Sequence, residues 1–173
     1  MCWSYNRQYG TRYLAVMPPN LYGPGDNFDL ANSHVLPALI RKTAEAKAAG
    51  AKQVVVWGTG TPRREFLYSD DLGQACCFLM NLDDARFGAL LSEDAAPLIN
   101  IGTGEDVTIR QLAETVVRVL DFDGELVFDA TKPDGTPQKL LDVSLLHSFG
   151  WRHTTSLEQG LKCTWEAVRD QLT

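Results

Sequence analysis

The pattern of apolar and polar positions changes period several times along this chain, and each change marks an expected element. Trp3 and Arg7 are spaced by four ahead of Gly10, the pattern of a helix end closed by glycine. An unbroken apolar run at 13–17 then stops at Pro18 and Pro19, as a buried parallel strand does at the rim of an α/β sheet. Beyond a polar loop, Val35, Leu36, Leu39 and Ile40 recur at helical spacing. They predict a helix from near Ser33 to about Ala49, with Gly50 as its stop and Pro37 tolerated near its start. Gln53–Trp57 is rich in β-branched residues and leads into a Gly-Thr-Gly-Thr-Pro turn, followed by a short strand over 64–68. Ser69 is placed to cap a helix with Leu72, Ala75, Cys76 and Leu79 on one face. Residues 98–101 read as a short buried strand closed by Gly102-Thr103-Gly104. Thr108-Ile109-Arg110-Gln111 reads as a capping box opening a helix with Ile109, Leu112, Ala113, Val116 and Leu120 inward. A β-like segment at 126–128, a turn-rich loop at 132–137 and helical pieces at 144–149 and 156–172 complete the chain. Strand and helix alternate without internal repeat or linker, so the expected class is α/β.

Composition narrows the partners. With 173 residues the chain is expected to form one compact domain burying about 70% of its unfolded surface. A net charge of -6 argues against bulk attraction to nucleic acid, while a few local cations could still hold an anionic ligand. No apolar stretch approaches the ~20 residues needed to span a bilayer, and no basic-then-apolar leader pattern opens the chain. No membrane partner and a cytoplasmic location are therefore expected. Cys2, Cys76, Cys77 and Cys163 lack C-x-x-C spacing, which predicts no metal site and small, mostly buried thiols in a reducing compartment.

Candidate chemistry is scattered at this level. The two Gly-Thr-Gly turns at 58–60 and 102–104 neither continue as a G-x-x-G helix start nor carry the Lys-Ser/Thr of a phosphate loop, so both read as tight turns. His34 lies beside Asn32 and Ser33 at a predicted helix start, where an imidazole can exchange a proton near neutral pH or simply sit at the cap and surface. His147 and His153 read as structural. Lys42, Arg63, Arg64, Lys132 and Lys139 are cations in or beside loop-rich segments. Trp57, at a strand end, is either core or a flat ring offered to a ligand.

Certain of these residues belong to longer blocks: Ser-Tyr-Asn-Arg-Gln-Tyr-Gly at 4–10, Met-Pro-Pro-Asn-Leu-Tyr-Gly-Pro at 17–24 and Asn-Ser-His-Val-Leu-Pro-Ala-Leu at 32–39. Val-Trp-Gly-Thr-Gly-Thr-Pro-Arg-Arg-Glu-Phe-Leu at 56–67, Asn-Ile-Gly-Thr-Gly at 100–104 and Lys-Pro-Asp-Gly-Thr-Pro-Gln-Lys-Leu-Leu-Asp-Val at 132–143 follow in order. Read together, the blocks resemble the GDP-L-fucose synthases, NADPH-dependent epimerase/reductases of the extended short-chain dehydrogenase/reductase superfamily. Leu-Tyr-Gly-Pro, Arg-Glu-Phe and Asn-Ile-Gly-Thr-Gly occur widely among nucleotide-sugar epimerases and dehydratases. The Asp-Asn-Phe and Asn-Ser-His-Val pair and the Lys-Pro-Asp-Gly-Thr-Pro-x-Lys loop are closer to the fucose synthase group.

The resemblance implies an NAD(P)-binding Rossmann-like fold, of which this chain is the C-terminal part. The last helix and strand of the dinucleotide-binding domain fall at 1–30, and 31–173 is mainly the smaller substrate-binding domain. Segments at about 64–82 and 98–104 return to the Rossmann sheet. It also implies conversion of GDP-4-keto-6-deoxy-D-mannose to GDP-L-fucose with NADP(H). His34 is then the catalytic acid of epimerisation and a cofactor contact. Pro18, Pro19, Asn20 and Leu21 line the nicotinamide, and Lys42, Trp57, Arg64, Asp134 and Lys139 line the GDP-sugar site. Arg63 is a neighbour only, and the intact enzyme is a homodimer. The family's glycine-rich turn, Tyr-x-x-x-Lys, serine and epimerisation cysteine belong upstream of Met1. The isolated chain is therefore expected to show no reductase activity, little NADPH affinity and an exposed apolar strand edge prone to self-association. Two alternatives are a non-catalytic nucleotide-sugar-binding or regulatory module and another nucleotide-sugar epimerase.

Overall fold

The structure, a computed structural model, describes residues 1–92 and 94–172. Glu93 and Thr173, within the expected substrate-binding range, lie outside the described residues. Helix α1 (Cys2–Tyr9) ends at Gly10, whose φ of 66° is the left-handed conformation glycine adopts at a helix stop. Strands β1 (Ala15–Met17) and β2 (Asn20–Tyr22) flank the two prolines. Helix α2 (Val35–Ala48) takes His34 as its N-cap, and β3 (Gln53–Trp57) follows with Val54 and Val56 inward.

The single strand expected over 64–68 is two strands, β4 (Arg63–Arg64) and β5 (Phe66–Tyr68). Glu65 between them is fully buried and turns its carboxylate to other loops, so the two strands separate there. Helix α3 (Ser69–Met80) takes Tyr68, not Ser69, as its N-cap, because β5 runs directly into it. Buried Asp71 in its first turn accepts from the Thr154 and Thr155 backbone and the Thr154 hydroxyl. Then come α4 (Asp84–Gly88), β6 (Leu98–Asn100), β7 (Val107–Thr108) and α5 (Ile109–Val119), whose Thr108–Gln111 capping box is formed as expected. Strands β8 (Glu125–Asp129) and β9 (Gln138–Lys139) precede α6 (Ser144–Ser148) and α7 (Leu157–Leu172). Elements β2, α4, β7 and β9 were not expected. Each is two to five residues long, too short to show a hydrophobic period.

Three parallel pairs, β1–β6, β2–β5 and β3–β8, give the fold its α/β character, and β4 lies between antiparallel β7 and parallel β9. Pair β2–β5 divides two cores. Because successive strand residues face opposite sides, Phe66 and Tyr68 enter one core and Leu67 enters the other. The first core gathers Leu36, Leu39 and Ile40 of α2, Leu112 and Val116 of α5, and Leu161 of α7 around Tyr22. Gly160 lets α7 close on Tyr22, because a Cβ there would run into the Tyr22 ring and hydroxyl. The second core joins Ala75 and Leu79 of α3 to Ile99, Ile101, Leu146 and Trp151.

Two expectations about burial are corrected. The run at 13–17 is not a buried strand: Tyr13 is 52%, Val16 37% and Met17 48% exposed. The reason is neighbours, since among the described residues β1 is hydrogen-bonded to β6 alone. The cysteines are not mostly buried either, because Cys77 and Cys163 lie on outer faces of α3 and α7, and Cys2 and Cys76 are only half-buried. Among the described residues no helix is long and apolar enough to cross a membrane.

Candidate functional site

Strand β3 alternates exposed and buried positions, and this places Trp57, its last residue, outward with 65% of its surface exposed. Lys42 of α2 reaches over the ring, its Nζ 5.0 Å from the ring centre and 3.4 Å from the Val55 carbonyl oxygen. Lys132 approaches the same ring at 5.6 Å. At such exposed sites each cation–ring contact is worth about 0.5–1 kcal/mol. Beyond Trp57 the chain turns through Gly58 and Gly60, and the Thr59 N–H donates to Asp134 Oδ1 at 2.9 Å. The Thr59 hydroxyl donates to Asp134 Oδ2 at 2.7 Å. Asp134 thus clasps the 132–137 loop onto the end of β3.

On the other side of that loop, Arg64 of β4 and Lys139 of β9 are register partners in a parallel pair, so both rise from the same face of the ribbon. Arg64 Nη1 donates to the Arg63 carbonyl at 2.7 Å. Gly135 passes close to that guanidinium: a Cβ there would sit 2.9 Å from Arg64 Nη2, a contact the flexible arginine end could relieve by moving. Arg63, one residue earlier, serves another purpose. It pairs with Asp106 at 2.6 Å, and Gln138 donates to the same carboxylate. The Arg63 and Gln138 hydrogen bonds hold the Asp106 carboxyl below its ordinary range.

At the other end, Pro18 is half-buried, Pro19 is buried, and the Asn20 side-chain amide donates to the Glu65 carbonyl at 2.9 Å. Leu21 lines a cleft of about 240 Å³ with Tyr22, Gly23, Gly25, Asp26 and Ser69; among the described residues the buried Oδ2 of Asp26 has no hydrogen-bond partner. His34 caps α2 with extended backbone at φ -70°, its carbonyl accepting from the Ala38 N–H. Its imidazole is exposed and makes no capping hydrogen bond, and among the described residues neither ring nitrogen has a hydrogen-bond partner. Eight residues along α2 separate His34 from Lys42, roughly 12 Å of helix axis. One helix therefore connects the free imidazole to the Lys42–Trp57 stack.

The structure brings together Lys42, Trp57 and Asp134, and separately Arg64 and Lys139, with the 132–137 loop joining the two groups. Sequence reasoning missed Thr59 and Gly135 as site residues, and above all Glu65, whose signal was an acidic residue between two arginines and the apolar 66–68 segment. The Gly-Thr-Gly turns are tight, but both also bind a carboxylate of the protein: Thr59 holds Asp134, and the N–H groups of Thr103 and Gly104 hold Glu65. His153, read as structural, lines a cleft of about 130 Å³ beside Arg64, Thr103 and Thr155. His147 is structural, with Nδ1 3.0 Å from Arg152 Nη1 and Nε2 buried without a partner. Among the described residues no group of three or more His, Cys, Asp or Glu side chains could hold a metal.

Three parallel strand pairs with helices packed against them, and a group of cations near the ends of β3 and β4, define an α/β protein of the nucleotide-binding type of fold. The chain belongs to the NAD dependent epimerase/dehydratase family, which matches residues 1–89. It is 54% identical over 169 residues to the GDP-L-fucose synthase of Escherichia coli (strain K12), covering 96% of this chain and 51% of that protein. A GDP-D-glycero-L-gluco-heptose synthase from Campylobacter jejuni, solved in the presence of NADPH, superposes with a TM-score of 0.85 at 36% identity, covering 97% of this chain and 56% of that one. A GDP-L-fucose synthetase from Naegleria fowleri bound to NADP superposes with a TM-score of 0.75 at 30% identity, covering 91% of this chain and 47% of the other. The chain spans about half the length of the curated relatives it matches. The extended short-chain dehydrogenase/reductase fold is thereby established.

Proposed function

We propose that this chain forms the GDP-sugar-binding portion of an NADPH-dependent epimerase/reductase that converts GDP-4-keto-6-deoxy-D-mannose to GDP-L-fucose. The observation that carries this reading is the cationic surface at the ends of β3 and β4. A protein of net charge -6 places Arg64 and Lys139 in register and sets Lys42 and Lys132 on Trp57. Four cations converging on one loop suit a diphosphate, and the exposed indole offers a flat apolar face for a purine or sugar ring.

On this reading Arg64 and Lys139 neutralise the diphosphate through charge-assisted hydrogen bonds. A 4-keto group acidifies the hydrogens on its two neighbouring carbons, so inversion needs a proton returned from the face opposite its removal. His34, free at both ring nitrogens, is the residue of this chain that returns it. Pro18, Pro19, Asn20 and Leu21 form the wall for the nicotinamide. The buried Pro19 and the Asn20–Glu65 hydrogen bond make that wall rigid, and Leu21 makes its cleft partly apolar, as an aromatic ring requires. NADPH, when bound, supplies the hydride that reduces the keto carbon. The dinucleotide-binding and substrate-binding assignments of 1–30 and 31–173 belong to the same proposal, as do a homodimeric intact enzyme and a cytoplasmic location.

The test is calorimetric titration of the 173-residue chain with GDP and with UDP. Binding of GDP in preference to UDP is the expected result. Equal affinity for both points to another nucleotide-sugar epimerase, and no binding of either returns these cations to solvated surface.

A further inference from the structure

Glu65 is a carboxylate with 0% of its surface exposed, and among the described residues it meets hydrogen-bond donors instead of a cation. Oε1 accepts from the Thr103 N–H at 2.6 Å, the Gly104 N–H at 2.9 Å and the Thr103 hydroxyl at 3.2 Å. Oε2 accepts from the Leu141 N–H at 2.9 Å. The backbone of the same residue is equally engaged. Its N–H donates to the Lys139 carbonyl at 3.4 Å, and its carbonyl accepts the Asn20 N–H and the Asn20 side-chain amide. Gly102 leaves room for the carboxylate, since a Cβ there would run into Oε1.

Burying an ionised carboxylate costs several kcal/mol unless donors surround it, and such a cost is not needed merely to fill a core. What the carboxylate does here is join separate pieces of chain. The 102–104 turn and the segment after β9 have no ladder with each other, and both hang on Glu65. Lys139 is bracketed, because its own carbonyl and the N–H two residues later are both held by Glu65. Arg64 is the residue immediately before. The two cations that face the proposed diphosphate are therefore set by one buried anion lying behind them.

We propose that Glu65 is a positioning residue for the diphosphate site, fixing the backbone spacing between Arg64 and Lys139. This rests on the GDP-sugar reading of that surface. Holding two long cationic side chains on a preset frame lowers the ordering cost that binding must otherwise meet. A neutral amide at position 65 keeps the volume and one acceptor oxygen but turns its NH2 toward N–H donors on the other side, so one arm of the carboxylate clamp is lost.

The experiment uses the 173-residue chain with Glu65→Gln, with Leu141→Pro as the second variant. The latter deletes a single donor and leaves the carboxylate and its other partners in place. Amide hydrogen exchange is read at Thr103, Gly104 and Leu141, and GDP affinity by calorimetry. Glu65→Gln should speed exchange at Leu141 or at the Thr103–Gly104 pair, whichever then faces the amide NH2, and weaken GDP binding roughly 3- to 30-fold. In an Arg64→Ala background the same change should weaken GDP binding far less, because the two act through one contact. If Glu65→Gln fails to fold, Leu141→Pro should speed exchange at Thr103 and Gly104 and weaken GDP binding in the same coupled way. Exchange changed at the altered segment alone, or an effect on GDP that simply adds to that of Arg64→Ala, overturns the proposal. Failure of the unsubstituted chain to bind GDP removes the functional reading instead, and uncoupled exchange then removes the clamp independently.

Discussion

The two ends of the candidate site are built differently. At the proposed phosphate end several groups are held in place: Lys42 lies on Trp57, Asp134 accepts from Thr59, and Arg64 donates to the Arg63 carbonyl beside its register partner Lys139. At the other end the scaffold is equally firm, with Pro19 buried and Asn20 tied to Glu65, but the His34 imidazole is left without a partner. Binding a rigid anion gains from cations fixed in advance, whereas a residue that exchanges a proton needs its ring nitrogens unoccupied. On the proposed function, affinity falls to one end and chemistry to the other, and substitutions can separate them.

The largest expected effect is at His34. In a full-length family enzyme carrying these residues, His34→Gln should lower kcat about 10²- to 10⁴-fold with little change in KM for the GDP-sugar. Steady-state kinetics showing undiminished turnover would erase the functional difference between the two ends. Next comes the phosphate end, where Arg64→Ala or Lys139→Ala should each weaken GDP binding by roughly 1.5–3 kcal/mol, the scale of a hydrogen bond to a charged group. Unchanged calorimetric affinity would mean that the cations face only solvent. Trp57→Ala should act more mildly, by about 0.5–1 kcal/mol for each lysine it seats, since the cation–ring contacts are exposed. A loss as large as that at Arg64 would show that the indole stacks on the ligand itself.

The smallest effect is at His147, whose ring lies beside Gly104 of the turn that holds Glu65. The His147 imidazole is held below its ordinary pKa of 6.5, first by burial and then by the Arg152 and His153 charges. The folded state favours neutral His147, so its contribution is complete above pH 6.5 and declines as pH falls through that value. Melting curves taken from pH 7.5 down to 5.5 should lose stability over this interval, and His147→Gln should flatten the decline. A decline of equal depth in the variant would assign it to other groups.

Residues with strong local signals were legible from the chain alone. The Thr108–Gln111 box, the Gly10 and Gly50 stops, the inward positions of α2 and α5, and a histidine at the start of α2 each follow from a few adjacent side chains. The cations were legible too, but local pattern left them scattered, and only the family resemblance grouped them. Arg64 and Lys139 lie 75 residues apart in sequence, and only the β4–β9 pairing sets them side by side. Burial was misjudged for the same reason at β1, where an apolar run says that a strand will form and not how many neighbours will cover it.

By itself the sequence determined element type wherever a period could complete itself, the α/β class that follows from their alternation, and the family blocks with their chemically able side chains. Tertiary structure alone decided what those side chains touch. It broke the 64–68 run at Glu65, turned both Gly-Thr-Gly loops into holders of the protein's own carboxylates, and joined Thr59 to Asp134 and Glu65 to Leu141. The physical reason lies in range. Periodicity and capping are settled between residues a turn or a pleat apart, whereas a buried carboxylate takes its donors from wherever the fold supplies unpaired N–H groups.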